Sequence, residues 1–337
     1  MPRVRFAPSP TGSLHVGNAL GAVANRSFGD WLLLRIDDTD PARNVPGAEE
    51  DILRDLEWLG LEWEEGPVRQ SERGDAYRAA ARRLETVEDE GAVVWHGVTL
   101  LRPDGSATYQ LASVVDDVEF GITHVIRGAD HRANEPLHRR LTEGLGARPP
   151  EYVHYGLILG EGGRKLSKRA PGATLEALRD AGIPAEAVRA YLEELGLPRH
   201  DVHYDLGRIR RLAIEAIAAL GDAELAARVG APPALAPALR GARDLNEARE
   251  AARSILTPEA TSLGPEAAPT LERFRELLLR SNGALDGRAA VRELKAVGGD
   301  LRALRLALTG RERGPELWAV VAALDRDEAL RRLDAAL

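Results

Sequence analysis

Through the first 170 residues short apolar runs of strand type alternate with amphipathic helical stretches, and after about Thr174 the strand signal stops. No other feature constrains the fold so strongly. Strands separated by helices favour a mostly parallel sheet covered on both faces, and a purely helical remainder favours a second domain. Val4–Ala7, Trp31–Ile36, Val93–Leu101, Leu111–Val115, Ile122–Ile126 and Val153–Leu159 read as strands. The spacing predicts helices over Ala48–Leu59, with Ile52, Leu56 and Leu59 on one face, and over Asp75–Val87, with Tyr77, Ala80 and Leu84. Later, Thr174–Asp180, Pro184–Leu195, Ala213–Leu220, Leu245–Ile255, Leu271–Leu279 and Pro315–Leu324 carry only helical periodicity. The expected organisation is an α/β Rossmann-like domain over residues 1–170, a helical junction over 171–220 and a helical domain over 221–337.

Composition removes several classes of function. With no cysteine there is no disulfide, cysteine zinc site or cysteine nucleophile. Lys+Arg number 45 against 53 Asp+Glu, a formal charge of −8, which disfavours a general polyanion binder but permits a basic face on an acidic body. The start, MPRVRFAPSPTG, has no apolar leader, and no apolar run approaches the ~18–20 residues a bilayer span needs. A cytoplasmic protein without membrane contact is expected.

Two motifs point to chemistry. In the segment from Arg5 to Asn18, RFAPSPTGSLHVGN, a strand runs through a glycine-bearing loop into a helix, the layout in which a helix N-terminus receives phosphate. His15 in the first turn can donate to a phosphate oxygen, and Gly17 clears space for a nucleobase. Lys165-Leu-Ser-Lys-Arg169 follows the last strand and the turn Gly160-Glu-Gly-Gly163; its lysines are compact charges suited to an anionic leaving group. Alone, each is commoner as a surface cap or a solvated loop. Together, both follow strands of one sheet, where open α/β folds place ligands. The carboxylates Asp116 and Asp117, placed after a predicted strand, and the cluster Asp37-Asp38-Thr-Asp40 read as structural or substrate-positioning, with Asp37 the exception discussed next.

The chain resembles the class I aminoacyl-tRNA synthetases, and among them the glutamyl-tRNA synthetases. His15-Val-Gly-Asn18 is similar to the HIGH signature and Lys165-Leu-Ser-Lys-Arg169 to the KMSKS signature. Longer similar stretches are RFAPSPTGSLHVG, LLRIDDTDPAR, LEWLGLEWEEGPVRQSER, LRPDGSATYQLASVVDDVEFGITHVIRGADH, LILGEGGRKLSKR and, near the end, LRALRLALTGRERGPELWAVVAAL. The resemblance implies ATP-dependent activation of glutamate to an adenylate, then transfer to the 3′ end of tRNA(Glu) or a related tRNA. It implies catalytic roles for His15, Lys165 and Lys168, and ATP binding by His15, Gly17, Asn18, Ser167 and Lys168. Arg5, Ala7, Ser9, Asp37, Tyr109 and Arg127 would contact the amino acid, with Arg5 the candidate for its side-chain carboxylate. Mg²⁺ is expected on the phosphates, a protein zinc site is not, and a monomer is expected.

Four departures stand out. Asp37 takes the place of a usual Glu, Asn18 that of the second HIGH histidine, and Ala129 that of a common Glu in RGEDH. Between Thr86 and Trp95, about where the family carries a long acceptor-stem insertion, only a short connection is expected, with the shortening spread over 86–110. Arg208, Arg210 and Arg211, and Arg305, Arg311 and Arg313, are the candidate RNA-facing clusters. The alternatives are a glutamyl transferase that acts on a modified tRNA base, a carrier or a small amine, and a non-catalytic tRNA-binding paralogue.

Overall fold

The computed structural model describes residues 1–259, 261–281 and 285–337, and divides into two units: residues 1–180 with 188–206, and 181–187 with 207–337. In the first unit β1 (Arg3–Phe6), α1 (Val16–Phe28), β2 (Trp31–Ile36) and α2 (Ala48–Trp58) alternate as expected, and β3 (Glu65–Arg69) adds a strand that was not expected. There follow α3 (Gly74–Ala81), β4 (Val87–Asp89), β5 (Ala92–Trp95), β6 (Val98–Leu101), α4 (Tyr109–Glu119), β7 (His124–Gly128), α5 (Glu135–Gly144), β8 (Glu151–Tyr155), β9 (Ile158–Leu159) and α6 (Leu175–Asp180).

β2 pairs in parallel with both β1 and β3, and β7 with β8. Thr123, just before β7, joins the two sets: its N–H donates to the Arg3 carbonyl at 2.9 Å, and its hydroxyl accepts from Arg3 N. The chain thus leaves β1 toward β2 and β3, while β7 leads toward β8 on the other side. A crevice opens at such a reversal, beyond the carboxyl ends of the two central strands. Val4, Leu33, Leu34 and Ile36 on the strands, Val16, Ala19 and Leu20 on α1, and Ile52 and Leu56 on α2 are buried and cover the sheet with apolar surface.

Several expectations fail locally. Val93–Leu101, read as one strand, folds back at His96–Gly97, where both residues have positive φ, into the antiparallel pair β5 and β6. Leu111–Val115 lies within helix α4, not in a strand. Every residue from Leu111 to Asp117 is buried, so the helix has no polar face to betray its period and reads as a continuous apolar run. Asp116 and Asp117 are therefore at the end of a buried helix. The helix expected over Asp75–Val87 stops at Ala81, and Val87 opens β4. The run Val153–Leu159 breaks into β8 and β9 at Gly156, where a Cβ would lie 2.1 Å from the His200 carbonyl oxygen. A two-residue strand, β10 (Val202–His203), pairs with β9 where no strand was expected.

Most of α7 (Ala185–Leu195) belongs to the first unit; the second unit contains α8 (Leu206–Ala219) from Gly207 on, α9 (Asp222–Val229), α10 (Ala236–Leu239), α11 (Leu245–Leu256), α12 (Ala268–Arg280), α13 (Gly287–Ala296), α14 (Leu301–Thr309), α15 (Leu317–Ala323) and α16 (Arg326–Ala336). Asp244, Asp286, Asp300 and Asp325 each accept from backbone N–H groups at a helix start, which explains where four of these helices begin. Leu225, Ile255, Leu271, Phe274, Leu294, Leu304, Leu308 and Leu333 form its interior.

Candidate active site

A cleft of about 320 Å³ opens at the carboxyl ends of β1 and β7. Arg5, Ala7, Ser9, His15, Gly17, Asn18, Asp37, Tyr109, Arg127, Lys165 and Lys168 all line it. Ser167 does not; it is exposed, and its hydroxyl accepts from the Arg169 N–H.

On one side, His15 is the N-cap of α1. Its Nδ1 accepts from Gly17 N at 2.9 Å and Asn18 N at 3.3 Å. The helix N–H groups expected to receive phosphate are thus held by His15, and the donor left to the ring is Nε2–H. Burial, with Lys165 and Lys168 nearby and Asp130 opposing, lowers the His15 pKa to about 4, so the ring is neutral at pH 7. Gly17 is required by the ring itself: a Cβ there would lie 2.8 Å from His15 Cε1. Lys168 donates to the Thr11 carbonyl at 2.9 Å and to its hydroxyl at 3.2 Å, and Lys165 pairs with Asp130.

The two motifs are joined through the backbone. Val16 N donates to Ala173 O, and Leu175 N to Leu14 O, both at 2.9 Å, so the segment after the basic loop is stitched to the start of α1. Asp55 on α2 clamps the same place. It is fully buried and accepts from the Ser13 hydroxyl at 2.7 Å, Leu14 N at 2.8 Å and Arg179 at 3.1 Å.

On the other side lies a group of buried charges. Arg35, with no exposed surface, meets Asp37 at 2.6 Å, Asp117 at 2.9 Å and Asp116 at 3.6 Å. Asp116 also accepts from Arg73, Gln70 and Tyr77, and Arg5 reaches Asp117 at 3.2 Å. Both oxygens of Asp37 face Arg35, and Asp117 accepts from Arg5 Nε while Arg5 still lines the cleft. Arg127 differs. Its Nε donates to His154 Nε2 at 3.3 Å, its Nη1 lies 3.5 Å from His138 Nδ1, and its buried Nη2 has no partner among the described residues. A guanidinium buried without a carboxylate carries a charge that an anion entering the cleft can answer.

The comparisons agree with this geometry. The tRNA synthetases class I (E and Q), catalytic domain, match residues 2–89 and 86–207, and an anticodon binding domain matches residues 288–337. A glutamate–tRNA ligase of Akkermansia muciniphila is 33% identical, over 98% of this chain and 98% of its own length. The chain belongs to the glutamate–tRNA ligase family of class I synthetases. A glutamate–tRNA ligase 1 of Rubrobacter xylanophilus is 34% identical over 99% and 97% of the two chains. The fold is shared with the crystal structure of a glutamate tRNA ligase from Elizabethkingia meningosepticum, with a TM-score of 0.74 over 99% of both chains at 22% identity.

The alignment to the Akkermansia relative spans 424 positions against 337 residues here, so that relative carries segments without a counterpart in this synthetase. Where a bare connection was expected between Thr86 and Trp95, the synthetase builds part of a three-stranded antiparallel sheet, β4–β5–β6, turning at Glu90–Gly91 and His96–Gly97 with positive φ. Of the arginine clusters, Arg305 donates to the Pro315 carbonyl, Arg311 pairs with Glu250 and Arg208 with Glu215. Asp55, Asp130, His138 and His154 were missed in the sequence. Their partners are 11 to 124 residues away, so no local pattern marks them.

Proposed function

We propose that this synthetase activates glutamate with ATP and transfers it to the terminal ribose of tRNA, and that the cleft is where both steps occur. The observation that carries this reading is the placement of a buried guanidinium with no carboxylate partner among the described residues, Arg127, on the same cleft as His15, Lys165 and Lys168. One end of the cleft fits an acidic amino acid and the other a polyphosphate.

In the first step the glutamate α-carboxylate oxygen attacks the α-phosphorus and the bond to pyrophosphate breaks. No protein nucleophile is needed, so the residues act by position and charge. His15 donates its Nε2–H to a phosphate oxygen without itself titrating near neutrality. Lys165 and Lys168 exchange Asp130 and Thr11 for the negative charge growing on pyrophosphate. Arg127 takes the side-chain carboxylate, with Tyr109, Ala7 and Ser9 beside it, while Arg5 acts through Asp117 on the floor of the site. In the second step a ribose hydroxyl of tRNA attacks the acyl carbon and AMP leaves.

The residues present do not form a cage for magnesium. The cleft carboxylates Asp37 and Asp130 are engaged by Arg35 and Lys165, and no group of three metal-ligating side chains occurs among the described residues. Magnesium would therefore travel on the ATP phosphates. No described helix is long and apolar enough to cross a membrane. The test is pyrophosphate exchange with a panel of amino acids, with and without tRNA, followed by charging of purified tRNA. Glutamate-dependent exchange and acylation of the terminal ribose are expected. Activation without terminal acylation would favour transfer to another acceptor, and absence of exchange with every amino acid would favour a non-catalytic paralogue.

A further inference from the structure

Arg5, Arg35 and Arg127 are all more than nine-tenths buried beside the cleft, yet only Arg127 is oriented without a carboxylate among the described residues. Its two partners are imidazoles, and the surroundings decide which nitrogen of each bears the proton. His138 Nε2 lies 2.6 Å from the Gln110 side-chain oxygen, which can only accept. That nitrogen therefore carries the hydrogen, and Nδ1 turns a lone pair to Arg127. His154 Nδ1 lies 3.5 Å from a Glu135 oxygen, also an acceptor, so Nε2 is left to receive the Arg127 Nε–H. Burial lowers the His138 pKa to about 3, and burial with Arg127 nearby lowers that of His154; both rings are neutral at pH 7. The Tyr152 ring completes the seat, 5.0 Å from the guanidinium carbon.

We propose that His138 and His154 are specificity-determining positioning residues: as neutral acceptors they orient Arg127 without cancelling its charge, which is thereby kept for the side-chain carboxylate of the substrate. This deepens the ligase reading and rests on it. A carboxylate in place of either imidazole would pair with the guanidinium, as Asp117 pairs with Arg5 through Nε, and an incoming carboxylate would have to compete with an internal ion pair. Two neutral rings impose the same orientation without that competition. The incoming group is then chosen by charge: a carboxylate completes the buried cation, and an amide of the same shape leaves it uncompensated.

The test measures kcat and KM for glutamate and for glutamine in pyrophosphate exchange, together with direct binding of both amino acids by calorimetry. His154→Glu is expected to raise the glutamate KM about 50-fold or more, to narrow the glutamate-to-glutamine preference by about 10-fold or more, and to leave the ATP KM within about 3-fold. His154→Gln places an amide oxygen near the position of Nε2, and His138→Asn places one near Nδ1; both should keep the preference within about 3-fold of wild type. If His154→Glu does not fold, His138→Asp puts the same charge on the other side of Arg127. The proposal is overturned if the carboxylate variant keeps the wild-type preference, if the amide variants lose it equally, or if the wild type binds glutamate no better than glutamine. A wild type that binds glutamate selectively and shifts on substitution as stated, but supports no exchange, would overturn the ligase reading and leave the proposal standing.

Discussion

Arg35 on β2 meets three carboxylates in the interior, whereas Arg127 on β7, buried to a similar degree, meets two imidazoles and the face of a tyrosine. The same side chain serves two purposes, and its partners decide which. Around Arg35 the positive charge is consumed within the fold: Asp116 and Asp117 tie β2 to α4, Asp37 takes the remaining edge, and Arg35 itself does not line the cleft. Around Arg127 the fold supplies orientation only, so the charge remains to be answered from outside. Burial by itself does not separate the two arginines; the presence or absence of a carboxylate partner among the described residues does.

The largest effect should come from splitting this pair. Arg35→Met leaves the buried Asp37 without its partner and takes one cation from Asp116 and Asp117, and is expected to cost about 3–5 kcal/mol in urea unfolding. Arg127→Met should leave stability within about 1 kcal/mol of wild type, or raise it, while increasing the glutamate KM at least about 100-fold. Equal losses of stability in the two variants would end the distinction. Next, His15→Ala and Lys168→Ala should each reduce the exchange rate by about 10²–10³-fold with the glutamate KM nearly unchanged, because they act at the phosphate end; a shift confined to the glutamate KM would contradict that division of the cleft.

A smaller effect is expected at Asp55, which touches neither substrate end but clamps Ser13, Leu14 and Arg179 beside His15. Asp55→Asn should lower kcat about 10-fold while the glutamate KM stays put, as a positioning residue requires. The least effect concerns pH. His15 and His138 have folded pKa values of about 4 and about 3, below the ordinary 6.5, so between those limits the unfolded chain binds more protons than the folded one. Their contribution to stability is complete above pH 6.5 and is lost as the pH falls toward 4. His138→Asn should flatten the fall between pH 6.5 and 5 in urea midpoints; an unchanged slope would show that other groups govern it.

Much of the catalytic unit is legible in its residues. The strand at Trp31–Ile36 and the helix from Ala48 emerge where the patterns put them, because one sheet strand and one amphipathic helix each carry their own period. His15 and the two lysines were identifiable since they sit in short motifs next to strands. Leu111–Val115 was misread for the opposite reason: a helix buried on every side has lost its period. Ser167 was placed in the site by motif membership, yet stands outside the cleft lining.

The sequence by itself determined the class of fold, the approximate place of the central strands and the residue types of the two short motifs at the cleft, since these depend on periodicity and on neighbours within a few positions. Only the tertiary structure decided which cleft arginine has a carboxylate partner and which has none among the described residues. Arg5 and Arg127 are both strand arginines followed by glycine- or proline-bearing loops, and nothing local separates them. Asp117 reaches Arg5 from 112 residues away, and His138 and His154 face Arg127 from α5 and β8. Net charge at a buried point is a sum over spatial neighbours, and chain order does not contain that sum until the sheet has formed.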